Sequence, residues 1–218
     1  MVYEGENDSF HNGLGTDEKN QSVFHSLQEF PSGSDEWKYS MRRCMQEIVP
    51  SLFLGPYSAA IKSKLDELKS HGITHIICVR HTLEANFIKP NFEDQFKYLV
   101  LEIADSVTEN IIHLFPIVKK FVDECLASGG KVLVHGNAGI SRSAALVLAY
   151  IMERYGITCK RAHEIVQHRR FCINPNEGFM AQLREFEAIY RAQRELTDVQ
   201  PSSAKGRHKR TCEEIEEI

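Results

Sequence analysis

Between Lys131 and Tyr155 a short apolar strand, Lys131-Val132-Leu133-Val134-His135, runs through a glycine-bearing loop into a helix, Ser141 to Tyr155, that is apolar on all sides. A helix without a polar face cannot lie on a surface, so it must be central to its domain. A buried strand that feeds such a helix through so short a loop points to an α/β architecture. The flanking pattern agrees. Met45 to Gly55 reads as two short strands pinched at Pro50, and Ile61, Leu65 and Leu68 recur at i, i+4, i+7 in a helix that Gly72 ends. Ile73 to Val79 and Tyr98 to Ile103 read as further strands. A helix starting near Pro116 carries Ile117, Phe121 and Cys125 and closes at Gly129-Gly130. Two more helices are expected near 160–170 and 177–195, the second with Phe179, Leu183, Phe186 and Tyr190 as its core stripe.

Charge divides the chain of 218 residues into three parts. Residues 1–40 hold eight acids against two bases and few apolar positions, the composition of a disordered acidic arm. Residues 41–196 form one domain carrying about +3, which tolerates anionic ligands without suggesting nucleic acid. Residues 197–218 read as a flexible charged tail, in which the basic run Lys205 to Arg210 is a candidate nuclear-import signal. No basic segment followed by an apolar one opens the chain, so an intracellular protein is expected, with its six cysteines reduced. The longest apolar run, Ala144 to Met152, falls well short of the roughly 20 residues that cross a bilayer, so no membrane partner is expected. His75, Cys78 and His81 are evenly spaced, but on a strand residue 78 faces away from the other two; neither a metal nor any other cofactor is expected.

The chemistry is concentrated in Val134-His135-Gly136-Asn137-Ala138-Gly139-Ile140-Ser141-Arg142-Ser143. A loop that enters a helix N-terminus aims successive backbone N–H groups at one point, where the helix dipole adds positive charge. Gly136 and Gly139 let the backbone curl without Cβ clashes. Arg142 can fork two N–H donors onto a phosphate. The loop thus reads as an oxyanion cradle made of Gly136, Asn137, Ala138, Gly139, Ile140, Ser141 and Arg142. Glycine-rich turns also arise for purely steric reasons, and the residues alone leave both readings open. The Walker A spacing and its lysine are absent, and Gly139-Ile140-Ser141-Arg142-Ser143 lacks the final glycine of a nucleophile elbow.

The stretch resembles the signature loop of the cysteine-dependent protein phosphatases, V-H-C-x-x-G-x-S-R-S, at Val134, His135, Gly139, Ser141, Arg142 and Ser143. It departs from that pattern at the nucleophile, where Gly136 stands. Asp105, 31 residues earlier, lies close to the spacing of the general-acid aspartate of dual-specificity phosphatases. Asn174-Pro175-Asn176 with Phe179, Gln182 and Leu183 is similar to their P-N-x-x-F-x-x-Q-L region. The resemblance spans most of residues 45–195 and implies their fold, a mostly parallel twisted sheet flanked by helices. Glycine for cysteine within HGNAGISRS points further, to the serine/threonine/tyrosine-interacting group of inactive relatives.

In the active family a cysteine thiolate attacks phosphorus while an aspartic acid protonates the leaving group. Glycine offers no attacking atom, so the implied protein binds phosphate without turnover. Asp105 is then a leftover acid. His135, Ser143 and Asn176 are loop supports by resemblance; by residue type His135 is a core histidine and Ser143 a helix-turn hydroxyl. Ser141 has no evident base beside it, and Arg169 and Arg170 read as packing or surface groups. The resemblance implies phosphorylated proteins as partners, MAP kinases among them, with ubiquitin-ligase components as a further class, in both cytoplasm and nucleus. A scaffold that docks its partners away from the loop is the alternative, and a weak enzyme that uses another nucleophile, such as Ser141, is a third reading.

Overall fold

In the computed structural model residues 37–198 are described; the acidic segment before Trp37 and the tail after Asp198 lie outside the described residues. Five strands form a single sheet in the order β1-β2-β5-β3-β4. β1 (Gln46–Val49) runs antiparallel to β2 (Leu52–Pro56), while β2, β5 (Lys131–Gly136), β3 (Ile73–Arg80) and β4 (Lys97–Glu102) are mutually parallel. β5 therefore occupies the middle of the sheet, and the glycine-bearing loop leaves from its C-terminal end. Five α-helices complete the domain: α1 (Leu65–Ser70), α2 (Phe115–Ala127), α3 (Arg142–Tyr155), α4 (Cys159–Arg169) and α5 (Glu177–Asp198).

Strand alternation sorts side chains between two cores. Val132 and Val134 of β5 join Ile77 and Val79 of β3 in the larger core beneath α2–α5. Leu133 and Ile76 face the opposite side, where Phe53, Leu68, Phe92 and Phe96 close a smaller core. α3 is buried at every residue from Ser143 to Met152, and Gly156 ends it with φ +67° in the left-handed region. Among the described residues no helix is long and apolar enough to cross a membrane.

Two expected stripes shift. Ile61 is extended and precedes a 3-10 turn over Lys62–Lys64, so α1 begins only at Leu65, and of the three stripe residues only Leu68 is fully buried. Six residues make a helix too short to persist alone; it rests on the packing of Leu68 in the smaller core. In α2 the inner face is Phe115, Val118, Val122 and Cys125, and Ile117 is 47% exposed. Of the expected stripe Ile117, Phe121 and Cys125, Cys125 is fully buried and Phe121 packs partly buried against the core, while Ile117 faces outward.

His135, next to last in β5, has no exposure at all; its ring lies 5.8 Å from that of Tyr57, and its Nδ1 is 3.4 Å from the Gly136 carbonyl. Burial pushes its imidazolium pKa down to about 4, against a weaker upward pull from that carbonyl. The folded state thus holds His135 neutral while the unfolded chain takes up a proton below its ordinary pKa of 6.5. The stabilisation is complete above pH 6.5 and is lost as pH falls from there towards 4, by up to about 3 kcal/mol. Denaturant titrations at pH 7 and pH 4.5 check this: His135→Gln should lose distinctly less stability between the two than the unchanged chain.

Candidate functional site: an anion cradle without a nucleophile

A trans peptide unit points its C=O and its N–H in opposite directions, so the fate of the loop carbonyls decides where its amides aim. Five successive carbonyls are tied to the surrounding protein. Asn137 O accepts from Tyr57 N–H at 3.1 Å, Ile140 O from Asn174 N–H at 2.9 Å, and Ser141 O from Ala145 N–H at 2.8 Å. The Arg170 guanidinium donates to Ala138 O at 2.9 Å and to Gly139 O at 2.8 Å. No peptide here is cis. The N–H groups of Ala138, Gly139, Ile140, Ser141 and Arg142 therefore turn the other way, into a cavity of about 400 Å³ floored by the loop and walled by Asp105, Asn174 and Asn176. Among the described residues none of these amides up to Ser141 donates to a protein acceptor.

Arg142 opens α3 and lies largely within the protein, 9% of its side chain exposed. Its guanidinium is gripped by Glu84, with Nη1 to Oε2 at 2.5 Å and Nη2 to Oε1 at 3.0 Å, and by the Ile103 carbonyl at 3.2 Å. Glu84 is fixed in turn, because its Oε2 accepts from His81 N–H at 2.6 Å as β3 gives way to a short turn. The hydrogen bond from Arg142 is the largest influence on the Glu84 carboxyl and holds its pKa below the ordinary value. On the cavity side, Asp105 Oδ2 stands 4.0 Å from Arg142 Nε. A phosphate entering the cradle thus meets a guanidinium already oriented, its charge partly offset by two carboxylates.

Asp105 is part of a closed triangle at the cavity rim. Its Oδ1 accepts from Ser141 Oγ at 2.7 Å and from Asn176 Nδ2 at 2.9 Å, while Asn176 N–H donates to Ser141 Oγ at 3.2 Å. Asn176 Oδ1 also accepts from Phe179 N–H at 2.9 Å, capping the start of α5. The expectation that Ser141 lacks a base beside it is corrected: Asp105 stands there. A carboxylate is nevertheless a poor base for a hydroxyl, and this one is shared with Asn176.

The two loop glycines are unlike each other. Gly139 has φ +66°, and a Cβ there would lie 2.4 Å from Gly55 O, so glycine is required. A Cβ on Gly136 would sit 3.3 Å from Ser143 Oγ, a tight contact that a shift of a few tenths of an ångström relieves, and 3.5 Å from Val79 O, an ordinary one. Gly136 is therefore no steric necessity, contrary to the reading that both glycines serve the curl. Ser143 is 1% exposed, and its hydroxyl has no protein partner, where a helix-turn bond was expected. It faces the place that a side chain at 136 would take. His135, likewise, is a core group whose Nε2 has no protein partner.

Arg170 corrects the reading of that residue as packing or surface. It is fully buried and, besides the two loop carbonyls, donates to Cys44 O at 2.9 Å, to Arg42 O at 3.1 Å and to Gln46 Oε1. Its neighbour Arg169 lies at the last turn of α4. Glu84 was also missed, and Asn174 was read only as part of the Asn-Pro-Asn turn, not as a wall of the cavity. Glu84 lies 58 residues before the arginine it holds, and only the demand of a largely buried cation for a carboxylate hinted that some such partner exists.

Comparison with known proteins places this geometry. The profile of the dual specificity phosphatase catalytic domain matches residues 52–189. The human serine/threonine/tyrosine-interacting protein is 57% identical over 205 residues, which cover 89% of this chain and 92% of its own length. Dual specificity protein phosphatase 1B of Arabidopsis thaliana is 38% identical over 143 residues, covering 66% of this chain and 81% of its own. The crystal structure of the human tyrosine phosphatase-like serine/threonine/tyrosine-interacting protein aligns with a TM-score of 0.67 at 67% identity, covering 68% of this chain and 98% of that one. Strong similarity thus runs to a relative named for interaction as well as to phosphatases, and the chain belongs to the dual specificity phosphatase catalytic-domain family.

Proposed function

We propose that this chain is a pseudophosphatase, which binds phosphorylated Ser, Thr or Tyr residues of partner proteins and leaves the phosphate in place. The observation that carries the reading is the set of five outward-tied carbonyls, since it turns five consecutive amides onto one cavity. Amides at a helix start and an oriented guanidinium suit a tetrahedral dianion. The chemical step has no agent: Gly136 carries no side chain, the Ser143 hydroxyl is buried, and that of Ser141 is committed to Asp105 and Asn176. Binding without turnover would mask the phosphoresidue from active phosphatases or anchor its bearer. Phosphorylated MAP kinases are the partner class proposed from the family resemblance, with action in cytoplasm and nucleus.

One feature favours a second reading. Arg142 is already held bidentately by Glu84, so part of the cradle's charge is answered internally. A scaffold that docks its partners elsewhere, ubiquitin-ligase components among them, needs no further anion there.

Three variants separate these. Arg142→Ala should weaken phosphopeptide binding tenfold or more, roughly the loss of a charge-assisted bidentate pair, in a fluorescence titration; partner capture that survives the change favours the scaffold. Gly136→Cys should gain aryl-phosphate hydrolysis above the unchanged chain, because the cradle has room for the added Cβ and Ser143 faces it. A folded variant without turnover would mean that Asp105 is held too firmly by Ser141 and Asn176 to serve as an acid. Arg170→Met should lower phosphopeptide affinity and thermal stability together, because it frees the carbonyls of Ala138 and Gly139.

A further inference from the structure

Beside the phosphate cradle lies a second hollow, about 480 Å³, between Trp37, Tyr39 and Arg42 on one wall and Phe171 to Asn174 on the other. Asn174 lines both cavities, so the two are neighbours. The walls keep a fixed place relative to the cradle. Arg170 ties the carbonyls of Arg42 and Cys44 to those of Ala138 and Gly139, and Asn174 N–H donates to Ile140 O.

The lining is aromatic and exposed: Tyr39 is 75% and Phe171 62% open to solvent. Large rings left open beside a polar cavity leave apolar area that a ligand would cover. Arg42 lies over the Tyr39 ring at 6.0 Å and has no carboxylate within ion-pair distance among the described residues. Rings that offer faces and edges, with a guanidinium at their border that meets Tyr39 but no carboxylate among the described residues, suit an aromatic side chain: it stacks on the walls and presents its negative face to the cation. An acidic side chain would have to leave water for mostly apolar walls, and an aliphatic one forgoes the cation.

We propose that this hollow is a specificity subsite that takes an aromatic side chain flanking the phosphorylated residue of the bound partner. The inference rests on the cradle reading and deepens it. Side chains on the same face of an extended peptide lie about 7 Å apart, two residues on. The aromatic residue is therefore expected within two or three positions of the phosphoresidue.

The test uses the full chain and phosphotyrosine and phosphothreonine peptides in which Phe is moved through each flanking position of an otherwise alanine-rich sequence. One position should bind about five- to tenfold tighter with Phe than with Ala, as expected of a well-packed aromatic pair. Phe171→Ala should remove most of that gain and leave the affinity of the Ala-flanked peptide unchanged; Tyr39→Ala should act in the same direction. Binding that needs Arg142 but shows no aromatic preference overturns the subsite and leaves the cradle standing. An aromatic preference indifferent to Arg142→Ala overturns the link between the two cavities. Tighter binding of every peptide after Phe171→Ala means that a segment of this chain fills the hollow, which also overturns the proposal. No phosphopeptide binding by the unchanged chain removes both readings.

Discussion

A single buried cation holds the site in shape. Arg170 places its guanidinium behind the cradle loop and donates to five oxygens, from Arg42, Cys44, Gln46, Ala138 and Gly139. Burying a charge is costly unless every donor is answered, and here carbonyl and amide oxygens answer it, with no carboxylate in contact among the described residues. Burial presses its pKa down, yet a guanidinium stays protonated at physiological pH. The consequence is geometric and electrostatic at once. Carbonyls drawn back towards Arg170 throw their partner amides forward, and an uncompensated positive charge lies just behind the place where an anion would bind.

Around that anchor the rest of the domain serves to present one loop. β5 is the middle strand, so its C-terminal end is fixed by neighbours on both sides. Its last pair, Gly136 with Pro56, sets the level at which the loop departs. α3 is buried from Ser143 to Met152, which fixes the N-terminal turn that receives the loop. The segment before α5 closes the rim through Asn174 and Asn176. The glycine at 136 removes a side chain from this frame without being required by it, since a Cβ meets only one tight contact there. The proposed pseudophosphatase reading rests on this combination, a loop whose amides turn onto one cavity and a glycine where the family's nucleophile would stand.

Much of this was legible in the sequence, because strand and helix periods are local. The strands follow from apolar and β-branched density and the stripe of α5 from spacing, and all four stripe residues Phe179, Leu183, Phe186 and Tyr190 are buried. The stripe of α2 holds at Cys125 and in part at Phe121 but not at Ile117, and α1 was drawn too long because its periodicity hid an extended residue at Ile61. In the loop, the residues that line the cavity were legible in the sequence, but not what orients them. Arg170 and Glu84 come from segments 31 and 58 residues away from their loop partners, and no period or spacing marks such contacts. The pairing of Asp105 with Ser141 and Asn176 was hidden for the same reason.

The central claim is that the amides of residues 138–142 converge on one anion site. Backbone amide NMR of the full chain during titration with phosphotyrosine tests it most directly. The geometry predicts saturable shifts concentrated on Ala138, Gly139, Ile140, Ser141 and Arg142, with the Arg142 guanidinium resonance moving in step. Saturable binding that leaves these five amides unmoved, or no saturable shift at all, would contradict it.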